Sequence, residues 1–289
     1  MADAVRELEL KLTLLPDAQG TLTDWLLQQP GVKDLGERHL VNVYFDTPTL
    51  ALNQQHIALR VRQVGERFIQ TLKTKGAFVD GAHQRQEWEW PMTSADLDLS
   101  LLADTPLGGE AALAKLVPVF ETNFTRRVLL LQDGDSVIEC ALDRGEIIAG
   151  QKRMPLCELE LELKAGDASA IQAWGVRLAA QAPVLVNLIS KAEQGYFLAG
   201  HYQPQPRQDE SAVLALLRAA SAWWLTGDSA WRERLLQALD GLREEAGDGL
   251  SMLDAVCVSA AQADQPEAGL LASSQFGQLQ LAMLVDGKQ

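Results

Sequence analysis

Histidine and cysteine are scarce in this chain of 289 residues, with four of the first and three of the second. The histidines (His39, His56, His83 and His201) show no metal-ligand spacing and read as structural or surface residues. The cysteines (Cys140, Cys157 and Cys257) are far apart and form no CxxC pair. That usage fits reduced thiols in a cytosolic protein. There is no glycine-rich phosphate loop: TLKTKG carries lysines but lacks the GxxxxGK[ST] turn. No Ser-His-Asp or Cys-His arrangement stands out. No apolar run approaches the roughly 18 residues of a membrane span, and the opening MADAVRELEL has no apolar signal core. The expectation is a soluble, cytoplasmic protein with no membrane partner. Positive charge is also short, with 25 Lys+Arg against 39 Asp+Glu and a net charge of −14. The acidity is spread along the chain, which argues against nucleic acid as a partner.

Apolar residues make up 47% of the chain, enough for a substantial core. A shift in composition divides it. Up to about Gly200 the text is strand-like, with turn signals such as DTP, TKGAFVDGAH and QDGDS between alternating segments. HYQPQPRQDE, residues 201–210, reads as a proline-bearing polar linker. Beyond it, Trp231, Leu235, Leu239 and Leu242 recur at helical spacing. Ser211 and Asp228 are candidate N-caps, and Gly227 and Gly247 candidate stops. The chain therefore divides into a domain at 1–203 and a small all-α domain of three or four helices at 209–289.

In the first domain the pattern predicts strands near 5–15, 38–45, 57–65, 67–75, 83–91, 124–132, 135–142 and 154–164. Helices are expected over 20–29, 108–117, 167–181 and 190–199. Hairpin-linked strands with helices set outside them make an α+β fold. Eight is also a strand number at which an antiparallel sheet closes on itself.

Period 2 sorts the strand residues by face. Glu7, Glu9 and Lys11 share one side of ELELK, and Glu158, Glu160 and Glu162 share one side of CELELEL. Arg60 and Arg62 fall together, as do Lys73 and Lys75, and Arg85 with Glu87. Arg126 opens RRVLLL, and Glu139 and Asp143 bracket ECALD. The opposite faces carry leucine, isoleucine, valine and tryptophan; Trp88 and Trp90 belong on an outer face under helices. Any one such strand is explained by a solvated face. Together they show sorted signs, with acids at the two ends of the domain and bases in the middle. Paired arginines suit a polyanion, and adjacent rows of glutamate repel unless a cation lies between them. In a closed barrel these faces meet in one lumen, which would offer carboxylates to a hard divalent cation and a basic cradle to phosphates. The chemistry indicated is metal-assisted phosphoryl transfer.

The segments ELELK (an ExExK motif), YFDTP, ALRVR, TLKTK, RQEWEW, ECALDRGEI, CELELEL and SKAEQGY occur in that order. Together they resemble the CYTH family, the triphosphate tunnel metalloenzymes, over about residues 5–200. Within the family the chain is similar to bacterial inorganic triphosphatases that carry a C-terminal helical CHAD domain. The resemblance implies an eight-stranded antiparallel β-barrel tunnel with outer helices and a bound Mg²⁺ or Mn²⁺. It implies Glu7 and Glu9 as metal ligands, with Glu158, Glu160 and Glu162 as a last-strand motif of which two would touch metal, and Glu139 as a further lumen carboxylate. It places Arg60, Arg62, Lys73, Lys75, Arg85, Arg126 and Lys191 on the triphosphate, and Lys11, Glu87 and Asp143 in catalytic roles.

The C-terminal part departs from the pattern. From Gln203 onward there is no histidine, and 6 Lys+Arg face 12 Asp+Glu. It reads as a shortened CHAD-like region or a separate helical appendix. Hydrolysis of inorganic triphosphate to pyrophosphate and phosphate is the leading functional expectation. The alternatives are an adenylyl cyclase, thiamine triphosphatase or nucleoside triphosphatase on the same scaffold, or a non-catalytic polyphosphate-binding module.

Overall fold

A computed structural model of the chain describes residues 5–79, 82–109, 113, 115–208, 210–246 and 251–286. Its strands are β1 (Val5–Thr13), β2 (Val32–Asp46), β3 (Ala58–Val64), β4 (Arg67–Lys73), β5 (Ala77–Val79), β6 (Ala82–Met92), β7 (Val117–Asp133), β8 (Ser136–Ala149), β9 (Lys152–Ala165) and β10 (Leu185–Val186). Eight of them run antiparallel in the order β1-β9-β8-β7-β2-β3-β4-β6, and β6 pairs back onto β1. The sheet is thus a closed barrel, as expected. The short β5 and β10 are additions, appended to β6 and β1. Strands β2, β7 and β8 run well beyond the predicted segments because β2 and β7 stay paired from Val32↔Leu131 to Asp46↔Val117.

The helices before the linker are α1 (Pro16–Leu27), α2 (Ala51–Gln54), α3 (Ser169–Ala179) and α4 (Lys191–Leu198). Of the helix expected over 108–117, residues 110–112 and 114 lie outside the described residues, and Val117 already belongs to β7. After the linker come α5 (Ala212–Thr226), α6 (Ser229–Ala246), α7 (Ser251–Gln262), α8 (Pro266–Leu270) and α9 (Gln275–Asp286). That is five helices among the described residues, one more than expected, because the sequence pattern does not resolve the five-residue α8. The Ser211 side chain accepts from Leu214 N, and Gly227 ends α5 in the left-handed region at φ 66°, where glycine carries no steric penalty. The stop expected at Gly247 lies outside the described residues.

The alternating strands resolve in an unusual sense. Leu10, Leu12, Leu159 and Leu161 are fully buried on the outside of the barrel, under helices, while the charged residues between them, Lys11 and Glu160, face inward. Trp88 and Trp90 pack outside β6 in a second cluster with Leu52, Leu59, Leu72 and Leu102, as the alternation predicts. The main core does not stop at the linker. Leu22 and Leu26 of α1, Trp174 of α3, Leu217 and Trp223 of α5, Leu235 of α6 and Leu281 of α9 belong to one continuous cluster with the strand leucines.

Trp223 is 1% exposed, and its ring lies against Gly269 of α8. Trp223→Ala removes a large side chain at the centre of the helical half and should cost about 3–5 kcal/mol. Because the core is continuous, urea unfolding followed by circular dichroism should remain a single transition at a lower midpoint. A separate early transition confined to part of the helical signal would contradict a shared core.

Candidate active site

The two leucine-glutamate segments are neighbours. In the β1/β9 ladder Glu9 faces Glu162, Lys11 faces Glu160 and Thr13 faces Glu158. On its other side β1 meets β6, with Glu7 opposite Arg85 and Glu9 opposite His83. Glu7, Glu9, Lys11, Arg60, Arg62, Lys73, Lys75, Arg85, Glu87, Arg126, Glu139, Glu160, Glu162 and Lys191 all line one cavity of about 690 Å³ inside the barrel.

On the β1–β6 side Arg85 bridges two acids, donating from Nε to Glu7 at 2.8 Å and from Nη2 to Glu9 at 2.7 Å. Lys73 Nζ reaches Glu7 at 2.9 Å and Glu87 at 3.1 Å. Burial works against a charged Glu7, but Lys73 and Arg85 outweigh it and hold its carboxyl well below the usual range. Glu87 is pushed the other way, mainly by burial, with Glu7 adding to it against the pull of Lys73. Lys11 is 2% exposed and lies 3.5 Å from Glu9.

A second network closes the opposite side. Lys191 Nζ stands 2.7 Å from Glu158, 2.7 Å from Glu160 and 2.9 Å from Asp143. Arg126 forks onto Asp143 at 2.7 and 2.6 Å and also reaches Glu160 at 2.7 Å. Lys191 is the first residue of α4, where the helix dipole disfavours a cation, so the three carboxylates determine its placement. Burial opposes both charges; Lys191 and Arg126 nevertheless hold Glu160 well below the carboxylate range, and Asp143, Glu158 and Glu160 hold Lys191 well above the amine range. A Cβ at Gly195 would overlap the Phe120 ring, so glycine lets α4 lie close to the barrel. Asp143 and Glu158 do not line the cavity; they lie behind Lys191, 0% and 1% exposed.

Between these networks the positive charge is under-compensated. Arg62 donates from Nε to Asn42 Oδ1 at 2.7 Å and has no carboxylate within ion-pair distance among the described residues. Burial, together with Arg60 and Arg126, brings its guanidinium down to about 9. Arg60 has only long contacts, 3.4 Å to Tyr44 Oη and 4.0 Å to Glu87, and its buried Nε has no partner. Two buried guanidinium groups, one with no carboxylate partner among the described residues and the other with a single one at 4.0 Å, mark where an anionic ligand fits.

A divalent cation would find oxygen donors of the right hardness in Glu7, Glu9, Glu160 and Glu162. Glu162 is held by Lys164 at 2.6 Å, with Glu139 4.0 Å from the same amine. Among the described residues no group of three acidic, histidine or cysteine side chains stands ready to hold a metal ion; Asp143, Glu158 and Glu160 do converge, but on Lys191 Nζ. The donor chemistry fits, provided the carboxylates exchange these partners for the ion.

The sequence reading missed several lining residues. Lys164 continues the inward face two positions after Glu162, and His83 precedes Arg85 by two, so period 2 was sufficient to find both. Burial, with Lys11 and Arg85 nearby, keeps the His83 imidazole well below its ordinary value and thus neutral. Lys75 lies beyond the end of β4, exposed at the cavity rim and not on the strand face expected of it. Tyr202, Arg207, Arg218 and Ser221 also line the cavity and come from the linker and α5, where strand periodicity has nothing to say.

The CYTH domain family model matches residues 5–196. An inorganic triphosphatase of Haemophilus influenzae is 32% identical over 196 residues, which is 67% of this chain and 55% of that protein. The chain thus spans just over half the length of that curated relative. Among solved structures, a candidate adenylyl cyclase from Hippeastrum, described as having a dominant triphosphatase activity, aligns at 18% identity over 68% of this chain and 98% of its own, with a TM-score of 0.49. The PH1819 protein of Pyrococcus horikoshii aligns at 18% identity over 58% of this chain and 83% of its own, with a TM-score of 0.39.

Lys191→Met should destabilise the protein strongly, by about 3–5 kcal/mol, since it leaves three buried carboxylates without their shared cation. Chemical denaturation at neutral pH checks it. A loss under about 1 kcal/mol would mean that Arg126, together with Gln194, which donates to Glu158 at 2.6 Å, suffices to hold the cluster.

Proposed function

The chain belongs to the CYTH domain family, and on that premise we propose that it hydrolyses inorganic triphosphate to pyrophosphate and phosphate inside the barrel. The observation that carries the reading is the under-compensated pair Arg60 and Arg62, buried in a lumen where Lys73, Arg85, Arg126 and Lys191 are already matched by acids. The relative from Haemophilus influenzae supports the choice of reaction by its name. Family membership implies a divalent metal, which we take to be Mg²⁺ or Mn²⁺.

In this scheme Arg60, Arg62 and Arg126 bind phosphoryl oxygens and fix the chain of phosphates along the lumen. Lys73, Arg85 and Lys191, now paired with acids, turn toward the same oxygens as ligand arrives, and Lys75 contributes at the rim. Glu7 and Glu9, with Glu160 and Glu162 from β9, would hold the metal, Glu139 adding charge nearby. When bound, the ion neutralises developing charge on the phosphoryl oxygens. A lumen carboxylate such as Glu87, whose affinity for a proton is raised by burial, or else Lys11, would orient the attacking water. Asp143 and Glu158 act from behind the wall, aiming Arg126 and Lys191 as positioning residues. We assign the protein to the cytoplasm on its three free cysteines; no helix among the described residues is long and apolar enough to cross a membrane.

The direct test compares phosphate release from inorganic triphosphate, ATP and thiamine triphosphate, with added divalent metal and with excess chelator. Triphosphate should turn over fastest, and chelator should stop the reaction. Pyrophosphate and a cyclic nucleotide formed from ATP would replace this reading with a cyclase.

Two substitutions probe the parts separately. Glu9→Gln keeps shape but removes a ligand charge, and turnover should fall at least about a hundredfold with a raised metal requirement. Unchanged turnover at saturating metal would remove Glu9 from the metal site. Arg62→Ala should lower kcat and raise KM together, while leaving the thermal midpoint of the ligand-free protein unchanged or higher, since it relieves repulsion from Arg60 and Arg126. Arg62→Lys should restore activity only in part, because a single ammonium replaces a two-pronged donor.

A further inference from the structure

Strand β10 pairs with β1 on one edge, Leu12↔Val186 and Thr13↔Leu185. Among the described residues no strand lies beside its other edge, and buried amide groups there require acceptors. Two side chains of the C-terminal helices supply them. Gln280 of α9 accepts from Val186 N at 2.9 Å, and Ser221 of α5 accepts from Leu188 N at 3.0 Å. Both side chains are 0% exposed. The Ser221 hydroxyl donates in turn to Leu217 O at 2.7 Å, which fixes its lone pairs toward the strand. Between these two anchors sits Asn187. Its amide donates to Lys11 O at 3.0 Å, its side chain to Thr13 Oγ1 at 2.9 Å, and its carbonyl lies 3.4 Å from His83 Nε2. Three residues after Leu188 comes Lys191, with its three carboxylates. Ser221, Arg218 and Ala222 of α5 themselves line the cavity that holds Glu7, Glu9 and Arg60. The anchoring residues lie beyond residue 196, outside the family match.

We propose that Ser221 and Gln280 are positioning residues of the tunnel. They hold residues 185–190 against β1 so that Lys191, Lys11 and His83 keep their places, which makes the C-terminal helices part of the active-site scaffold. The proposal rests on the triphosphate reading for its substrate, and affinity measured apart from turnover separates the two.

The test uses the full-length chain and the variants Ser221→Ala, Ser221→Thr and Gln280→Met, each assayed below its unfolding onset with inorganic triphosphate. Three readouts are taken: kcat and KM, triphosphate affinity by calorimetry, and amide hydrogen exchange at residues 186–188. Ser221→Ala and Gln280→Met should each lower kcat/KM by about tenfold, mostly in kcat, as expected for misplaced groups in an otherwise intact site. Exchange at 186–188 should quicken, and circular dichroism should not change. Ser221→Thr, which keeps the hydroxyl, should recover most of the loss. Weaker triphosphate binding in the two disrupting variants supports the clamp even if the wild-type chain binds without turnover. Wild-type kcat/KM and affinity in both variants, despite faster exchange at 186–188, would overturn it. So would a loss of activity that matches the loss of folded protein and that Ser221→Thr does not recover. The two sites lie on different helices, so failure of one variant to fold leaves the other to decide.

Discussion

Glu9 and Glu162 stand opposite one another on adjacent strands, as Lys11 does to Glu160, and this pairing of acidic rows inside a closed wall constrains the rest of the barrel. Carboxylates taken out of water and set side by side repel, and burial alone raises the energy of each charge. The barrel answers with cations drawn from other strands and from α4. Arg85 on β6 spans Glu7 and Glu9, Lys73 on β4 joins Glu7 to Glu87, and Lys191 gathers three acids from β8 and β9. Each of these bonds crosses between elements distant in sequence, so the lumen has its charge order only after the sheet has closed. The same bonds couple stability to chemistry: the groups that balance the empty barrel are the ones proposed to receive metal and phosphate.

A polar lumen inverts the ordinary economy of a small barrel, whose interior is usually its apolar core. Here the leucines that alternate with the glutamates face outward and need a coat. Helices α1 and α3 supply part of it, and the C-terminal helices the remainder, through the cluster that joins Leu10 and Leu161 to Trp223, Leu235 and Leu281. The helical region is separate in sequence, beyond a polar linker, yet its apolar residues complete the barrel's own core. Its polar contributions at Ser221 and Gln280 follow from the same packing, because a coat pressed onto an edge strand must satisfy that strand's amides as well as its side chains.

The barrel was legible in the sequence because its signal is local. Period-2 alternation depends only on which residues neighbour each other along a strand, and it survives in ELELKL, ALRVRQ and CELELEL regardless of tertiary context. The candidate residues of the lumen followed from that alternation, together with the ordered segments that mark the family. Helix α8 and the strands β5 and β10 leave no pattern to read because each spans fewer than two periods of its own repeat. Lys164 and His83 followed the pattern and were still passed over. One stands at the edge of the acidic row, and the other reads as a structural or surface histidine and not as a lumen residue. Asp143 and Glu158 share the inward face with true lining groups, yet lie behind Lys191, since depth along a tunnel is set by the tilt of eight strands and not by parity. Ser221 and Gln280 left no sequence signal of their kind: a serine or glutamine on a helix acquires this role only from the strand edge packed against it.

The lumen is balanced unevenly, and the imbalance bears on mechanism. Around Lys191 every cation has acids in reach, so on that side a cation meets a ligand only by exchanging those acids for it. Around Arg60 and Arg62 the guanidinium groups crowd one another, and among the described residues Glu87, 4.0 Å from Arg60, is the one carboxylate within ion-pair distance of the two, a cost the empty protein bears. An arriving polyanion relieves that repulsion, while water gains little by entering a site already crowded with directed donors. Arg62 is held in place by Asn42, which itself donates to Thr122 O at 2.8 Å, so the donor is aimed before any ligand arrives and little ordering remains to be done on binding. Electrostatic strain kept in a pre-aimed cation pair, and released when an anion binds, would be the physical form in which this fold stores specificity for the compact, highly charged substrate proposed.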